Sequence, residues 1–448
     1  MTYINEFLKK EKPADYYSKL LEELEGKNNK FHAFNVLNKR ISDGFPISVK
    51  DNICVKGMET TASSKILKGY IPPFSATVIK RLEKDGFSVL GKTNMDEFGF
   101  GSFGINCEVP ARNPFDETRV AGGSSSGAAV ATSIMKYHAA VAESTGGSIA
   151  APASFCGVVG FTPTYGLISR YGLIDYANSL DKIGFMARSS GDIRLLMSKS
   201  VGVDPADTTS VDVKLSDVKK EKIVVIDELY DKIDKNIKLS FDSSLSRLSA
   251  AGFKVQHVSI PEIDYSVPVY YIISMAEAST NLAKFTGFKY GLKVDDFSKE
   301  YNEFFTEARE AFGEEAKRKI ILGTFIRGAS VRSKYYEKAL RIRRIIRDKL
   351  SKVLDDSFII SPTMPVLAPK AKEAESFSPI QNYSMDLLTI PPNLCGFPTI
   401  SLPSDYIDGL PVGLQLTGGQ FEDNSLISFG EQWEDSFKYK FKYNIGEL

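Results

Sequence analysis

The chain is poor in the residues that most hydrolases and metalloenzymes lean on. Its 448 residues include three histidines, four cysteines and one tryptophan. His32, His138 and His257 lie far apart, and no HxH, HExxH or Cys/His cluster occurs, so no metal site is expected. None of the three sits in a segment that reads as a catalytic loop. His138 opens the apolar run Ala139 to Ala142 and reads as a strand residue. Cys54, Cys107, Cys156 and Cys395 are scattered without CxxC spacing, which fits reduced thiols in a cytoplasmic protein better than a disulfide framework. Net charge is missing as well. The 56 basic residues balance 56 acidic ones, which argues against a chain that grips nucleic acid across its own surface. No apolar run is long enough to span a membrane. Met1 to Phe7 carries an early acid and no apolar core, so it does not read as a signal peptide.

What the chain does have is a pair of glycine-rich turns, each carrying a serine. Ala121-Gly-Gly-Ser-Ser-Ser-Gly127 holds Ser124, and Glu143-Ser-Thr-Gly-Gly-Ser148 ends on Ser148. Upstream, Pro46-Ile-Ser-Val-Lys-Asp-Asn52 presents Lys50. These are the parts of a serine hydrolase that works with lysine and without histidine. A serine hydroxyl is a weak nucleophile until a neighbouring base takes its proton. A lysine can be that base only with its amine neutral, a state that burial favours. The apolar flank Ile47, Val49 and Ile53 is consistent with burial. A second hydroxyl can relay the proton, because it both donates and accepts.

The rhythm around these turns is that of an α/β domain. Residues 3 to 26 read as one or two amphipathic helices, with Pro13 in a first turn and Gly26 at the end. Phe31 to Leu37 alternates like a strand. Residues 45 to 55 give the strand that delivers Lys50. Ser75 is expected to cap a helix from Ala76 to Lys84, followed by a strand from Phe87 to Gly91. Ser126 to Met135 reads as a closely packed helix and His138 to Ala142 as a strand, with a helix opening after Ile149. A polar loop spans 205–220. Strands at Lys222 to Ile226 and Phe253 to Val258 flank a helix from Asn236 to Ala250. Residues 267–354 are mostly helical, and the charge runs Arg309 to Arg318 and Arg341 to Lys352 read as solvated faces. Short strands return at Phe358, Pro398 and Val412, and Asn424 to Lys438 closes with a helix.

Several segments carry a family resemblance. Gly122-Gly-Ser-Ser-Ser-Gly127, Thr145-Gly-Gly-Ser148, Ala151-Pro-Ala153 and Pro163-Thr-Tyr-Gly166 resemble the amidase signature family. Asn94-Met-Asp-Glu-Phe98, Asn113-Pro-Phe115, Ser179-Leu-Asp-Lys-Ile-Gly184, Gly313 to Phe325 and Leu387 to Gly396 are similar to one branch of it. That branch comprises the A subunits of glutamyl-tRNA(Gln) amidotransferases. The resemblance implies an amidase-signature fold: a central mixed, twisted sheet covered by helices on both faces, with a mostly helical inserted region. The expected divisions are an N-terminal helical region packed on the core (1–45), the signature core (46–204), the inserted region (205–356) and a C-terminal part that rejoins the sheet (357–448). The resemblance also implies a Ser-cisSer-Lys triad, with Ser148 as nucleophile, Ser124 as bridge and Lys50 as base. The backbone N–H groups of Thr145, Gly146, Gly147 and Ser148 are the expected oxyanion hole. Ser125, Arg318, Lys319 and Asp386 are the expected substrate contacts, Asp386 for the α-amino group of glutamine. Lys319 stands where the branch has an arginine that holds the substrate carboxylate, and lysine lacks the planar two-pronged fork. The implied activity is glutamine hydrolysis that supplies ammonia for converting Glu-tRNA(Gln) to Gln-tRNA(Gln). The implied partners are the B and C subunits, with ATP and Mg used by the partner, tRNA met mainly through the partner, and no cofactor or membrane contact in this chain.

Some positions depart from the family pattern. Where the family reads Asp-Thr-Gly-Gly-Ser-Ile-Arg, this chain has Ser144 and Ala150, so an acid and a base are lost together. That joint loss suggests that the two normally pair, since one buried charge alone is costly. Thr162 replaces a lysine, and the loop Gly101 to Pro110 carries the apolar Phe103 and Ile105. Two alternatives stay open: a stand-alone amidase acting on another small amide, and a non-catalytic scaffold of the same fold. The presence of Lys50, Ser124 and Ser148 together argues against the scaffold.

Overall fold

The computed structural model describes residues 2–41, 43–215, 217–293, 298–436 and 441–446. Apolar runs such as Ile47 to Val49 and Phe358 to Ile360 are too short for helices and too continuous for half-exposed strands. They form strands buried on both faces. Among the described residues, eleven strands build a single sheet: β1 (Phe34–Leu37), β2 (Phe45–Lys50), β3 (Phe87–Thr93), β4 (Ala139–Ser144), β5 (Val159–Thr162), β6 (Lys182–Ala187), β7 (Lys222–Ile226), β8 (Lys254–Val258), β9 (Ser357–Pro362), β10 (Thr399–Ile407) and β11 (Leu410–Thr417). Their order across the sheet is β1-β3-β2-β4-β6-β5-β10-β11-β9-β7-β8. β2 runs parallel to β3 and β4, and β7 parallel to β8 and β9. The other neighbours are antiparallel, so the sheet is mixed.

Helices cover both faces. On one side Tyr16–Phe31, Thr77–Lys84, Ser126–Ile134 and Asp423–Ser436 pack on Ile47, Val49, Val141 and Leu414. On the other, Ser266–Asn281, Glu314–Arg327 and Tyr336–Leu354 pack over Ile226, Ile359 and Val412. Every residue of β2, β3, β4, β6, β9 and β11 is therefore buried. Among the described residues no helix is long and apolar enough to cross a membrane.

The C-terminal strands do rejoin the sheet, and they enter its middle: β10 lies beside β5, and β11 beside β9. Asp408 and Gly409 join the two with φ of 51° and 77°, the left-handed backbone that a tight two-residue hairpin demands. Residues 205–356 are mostly helical but also supply β7 and β8, the far edge of the same sheet.

Two local expectations are corrected. Gly26 does not end its helix, which continues to Phe31 and stops at His32 in left-handed backbone. A mid-helix glycine costs about 1 kcal/mol, and the burial of Leu20, Leu24 and Phe31 along that helix outweighs it. Ser75 does not cap its helix either; its Oγ accepts from the Lys56 N–H at 2.9 Å, and Ala76 takes the boundary position. The final helix ends at Ser436, and residues 437 and 438 of the expected helix lie outside the described residues.

The charge run 341–352 is mainly a solvated face, with one exception. Arg343 turns inward and donates to Leu394 O at 2.7 Å, Ser179 O at 2.9 Å and Ser179 Oγ at 3.2 Å. It thereby ties helix Tyr336–Leu354 to segments that lead toward β6 and β10. Arg343→Ala strands two carbonyls and is expected to cost about 2–4 kcal/mol, with Arg343→Lys recovering less than half. Urea unfolding midpoints measure both; a loss below about 0.5 kcal/mol for the alanine variant contradicts the tie.

Candidate active site

Three parallel strands, β3, β2 and β4, end side by side, and the carboxyl ends of such strands are where α/β sheets gather their ligands. Lys50 is the last residue of β2. β4 ends at Glu143 and Ser144 and runs straight into the turn 145–148. The Lys50 side chain is fully buried. Its Nζ donates to Ser124 Oγ at 2.7 Å, to the Glu143 carbonyl at 2.9 Å and to Glu143 Oε2 at 2.9 Å.

Ser124 stands just before helix Ser126–Ile134, after a cis peptide bond from Gly123. A Cβ on Gly123 would lie 2.0 Å from Asp96 Oδ2, so only glycine fits there. Asp96 in turn accepts the N–H groups of Gly104 at 2.9 Å and Asn106 at 2.8 Å, which folds the 101–110 loop over the site. Gly147 is constrained in the same way by Thr389 Oγ1, 2.4 Å from where its Cβ would stand.

Ser148 is 7% exposed, and its carbonyl accepts the Ser125 N–H at 3.2 Å. Its hydroxyl bonds to no other described residue and lines a cavity of about 210 Å³. The N–H groups of Thr145, Gly146, Gly147 and Ser148 also donate to no other described residue. They keep hydrogen-bonding capacity that the described residues do not use. Ser125 is placed differently from its expected role. Its buried hydroxyl donates to the Glu143 carbonyl at 3.1 Å and lies outside the cavity lining, so it buttresses the lysine's acceptor rather than the substrate.

Asp386 and Lys319 both reach the cavity. Asp386 Oδ2 accepts from Ser102 Oγ at 2.6 Å and from the Tyr271 hydroxyl at 3.1 Å. Burial nonetheless pushes its carboxyl up to about 6, against the pull of those two donors and of Lys319. Lys319 is 2% exposed and lies 3.2 Å from Glu315 Oε1. The rings of Tyr271, Tyr383, Phe100 and Tyr176 surround its ammonium at 5.0 to 5.6 Å. Burial works against that charge, but Tyr176, Glu315 and Tyr383 together hold its proton more tightly than usual. Arg318 lies at the half-open rim, paired with Glu315. Phe103 and Ile105 line the same cavity, Phe103 against the Phe377 ring at 5.8 Å.

Several contributors have no reading in the sequence: Glu143, Ser102, Tyr271, Tyr383 and Asp181. Glu143 left one signal, an acid immediately before the position where the family pattern has its own. The tyrosines left none, because Tyr271 lies in an apolar helical run that reads as core. Ser144 and Ala150 are both buried, and the Ser144 hydroxyl donates to Gly146 O at 3.0 Å. His138 is buried, and burial pulls its imidazole down to about 3, so it has no acid–base part to play near neutrality.

Comparison with known proteins shows the family of the chain. The profile of the amidase family matches residues 32–427. The A subunit of glutamyl-tRNA(Gln) amidotransferase from Pseudothermotoga lettingae is 42% identical, over 90% of this chain and 87% of its own length. Its namesake from Sulfolobus acidocaldarius is 39% identical, over 97% of this chain and 96% of its own. The crystal structure of the A subunit of glutamyl-tRNA(Gln) amidotransferase from Thermotoga maritima superposes with a TM-score of 0.81 at 36% identity, covering 97% of this chain and 94% of that one.

The raised Asp386 carboxyl makes a stability prediction. A folded-state value near 6 against an unfolded one near 4 means that the folded chain binds the extra proton between those pH values. The stabilisation is therefore full below about pH 4 and lost as pH rises through about 6. It amounts to about 3 kcal/mol. Asp386→Asn should lack this loss, so the gap between wild type and variant should swing by that amount between pH 4 and 6.5 in urea titrations. Parallel curves for the two proteins would contradict it.

Proposed function

The chain belongs to the amidase family, and from that premise we propose that it is the glutamine-hydrolysing subunit of a tRNA-dependent amidotransferase. The observation that carries the reading is the pairing of two features in one cleft. A buried lysine bonded to Ser124 ends the strand next to the one that runs into the Ser148 turn, and Asp386 and Lys319 line the same cavity as Ser148. An α-amino acid offers the matching pair, its ammonium to Asp386 and its carboxylate to Lys319. The cavity has room for an amino acid and not for a polymer.

In this reading Ser148 Oγ attacks the side-chain carboxamide carbon. Its proton passes to Ser124, and the Ser124 proton passes to Lys50. The N–H groups of residues 145–148 hold the oxyanion. Collapse breaks the C–N bond, the proton returns through Ser124 to the leaving nitrogen, and ammonia departs from an acyl-enzyme. Water then attacks the ester along the same relay and releases glutamate. Ammonia goes to a B-type partner, where ATP and Mg activate Glu-tRNA(Gln), with a C-type partner completing the complex in the cytoplasm. Balanced surface charge supports a chain that leaves the gripping of tRNA to its partner. A stand-alone amidase on another small amide is the second reading. It is favoured by the Lys319–Glu315 pair, which leaves that ammonium already partnered.

Ser148→Ala is expected to lower ammonia release from glutamine at least about 10³-fold with the unfolding midpoint unchanged. Undiminished turnover would remove Ser148 as nucleophile. Purification of the tagged chain from its own cell should retain partner subunits; a lone monomer that hydrolyses other amides faster than glutamine supports the second reading instead.

A further inference from the structure

The relay described above leaves one buried charge without a task. Glu143 has a side chain only 1% exposed, and its Oε2 lies 2.9 Å from Lys50 Nζ. Asn52 Nδ2 donates to the same oxygen at 3.0 Å. The other oxygen, Oε1, lies 2.7 Å from Thr145 Oγ1, which is itself 2.8 Å from Asp181 Oδ1. Three acceptors thus surround the lysine nitrogen: Ser124 Oγ, the Glu143 carbonyl and Glu143 Oε2. Three donated hydrogen bonds are what an ammonium makes, whereas a neutral amine has two N–H bonds and a lone pair. In this arrangement the lysine has no lone pair to offer Ser124. Its side chain has no exposed surface, so its proton has no direct way into water. Among the described residues, the carboxylate within hydrogen-bond distance of Nζ is that of Glu143.

We infer that Glu143 is the resident acceptor of the Lys50 proton, and so the group that readies the lysine to act as base. The inference rests on Lys50, Ser124 and Ser148 acting as base, bridge and nucleophile. The proton crosses from Nζ to Oε2. The N–H bond breaks, an O–H bond forms, and the pair becomes a neutral amine beside a neutral carboxyl. The lone pair on Nζ then takes the Ser124 proton while Ser124 takes that of Ser148. After the leaving nitrogen has been protonated through the same chain, the carboxyl returns its proton to Nζ. The pair carries no net charge before or after the transfer, so no isolated charge is ever left in the dry site. Glu143 touches no substrate and acts through Lys50, which makes it a positioning residue.

The surroundings fit one negative charge facing one positive charge. Lys50 and Asn52 face the carboxylate from β2 and the turn after it, Thr145 from its own turn, and Asp181 from the segment before β6. Gly99 closes the remaining side, with Tyr176 behind it; a Cβ on Gly99 would lie 3.6 Å from Oε2. Burial, and then the charge of Glu143, push the Asp181 carboxyl well above its ordinary value. Thr145 Oγ1 lies between the two acids, 2.7 Å from Glu143 Oε1 and 2.8 Å from Asp181 Oδ1. Asp96, the other acid near Lys50, is also pushed up by burial.

The test is the rate at which a fluorophosphonate labels Ser148 in the full chain, followed by intact mass from pH 5.5 to 9. It needs no glutamine. Wild type is expected to label at a nearly constant rate, because the proton stays within the pair. In Glu143→Gln the amine must release its proton to solvent before it can act as base. The labelling rate should then acquire an acid limb, falling at least about 10-fold at pH 5.5 from its plateau. Glu143→Asp should restore a flat profile. A wild-type rate that climbs steadily with pH overturns the inference without any variant. So does a profile in Glu143→Gln that matches wild type. If wild type never labels at Ser148, the nucleophile reading falls and the inference falls with it.

Discussion

A positive charge with no exposed surface sets the terms for everything around it. Lys50 reaches the end of a strand that is buried along its whole length, so its ammonium has only protein to meet. Removing such a charge from water costs several kcal/mol unless opposite charge and hydrogen bonds compensate. The compensation comes from Ser124 and from one neighbour in the sheet order. β4, parallel to β2, supplies a carbonyl and a carboxylate, and the turn that follows β4 carries Ser148. The same contacts that stabilise the ion also fix Ser124 against it, so a structural necessity and a catalytic alignment are one arrangement.

The cleft repeats this logic with its own pair. Asp386 and Lys319 come from chain segments far apart in sequence, and each is buried with partners that only partly satisfy it. Ser102 and Tyr271 leave the aspartate with a carboxyl that still holds protons near pH 6. Aromatic faces hold the lysine in place. Glu315 also lies 3.2 Å from its ammonium, so both ends of the cleft are held by protein partners before any ligand arrives.

Much of this was legible in the residues. The two serine turns and the strand leading to Lys50 stand out by occurring together, since each pattern alone is commonly a loop or a cap, and the sheet follows from short, continuous apolar runs. The return of the last strands to the first sheet was also readable. What escaped was what depends on side chains meeting across long stretches of sequence. Glu143 looks like the end of a strand until Lys50 is placed beside it. Tyr271 looks like core until its hydroxyl is found on Asp386. Ser125 follows Ser124 in a polar turn, yet its hydroxyl points at a backbone carbonyl. Gly26 shows the opposite error: a residue that favours helix ends, overruled by the apolar residues on either side of it.

The hairpin of β10 and β11 has a consequence for how the chain is made. These two strands are translated after all the others, yet they occupy the interior of the sheet, between β5 and β9. Until the ribosome has released them, the nascent chain holds two half-sheets with raw, apolar edges and nothing to zip them together. The segment bearing Asp386 arrives in the same late stretch. The sheet thus stays unfinished, and open to wrong strand pairing, until β11 has been made, a window in which a holding chaperone has most to protect.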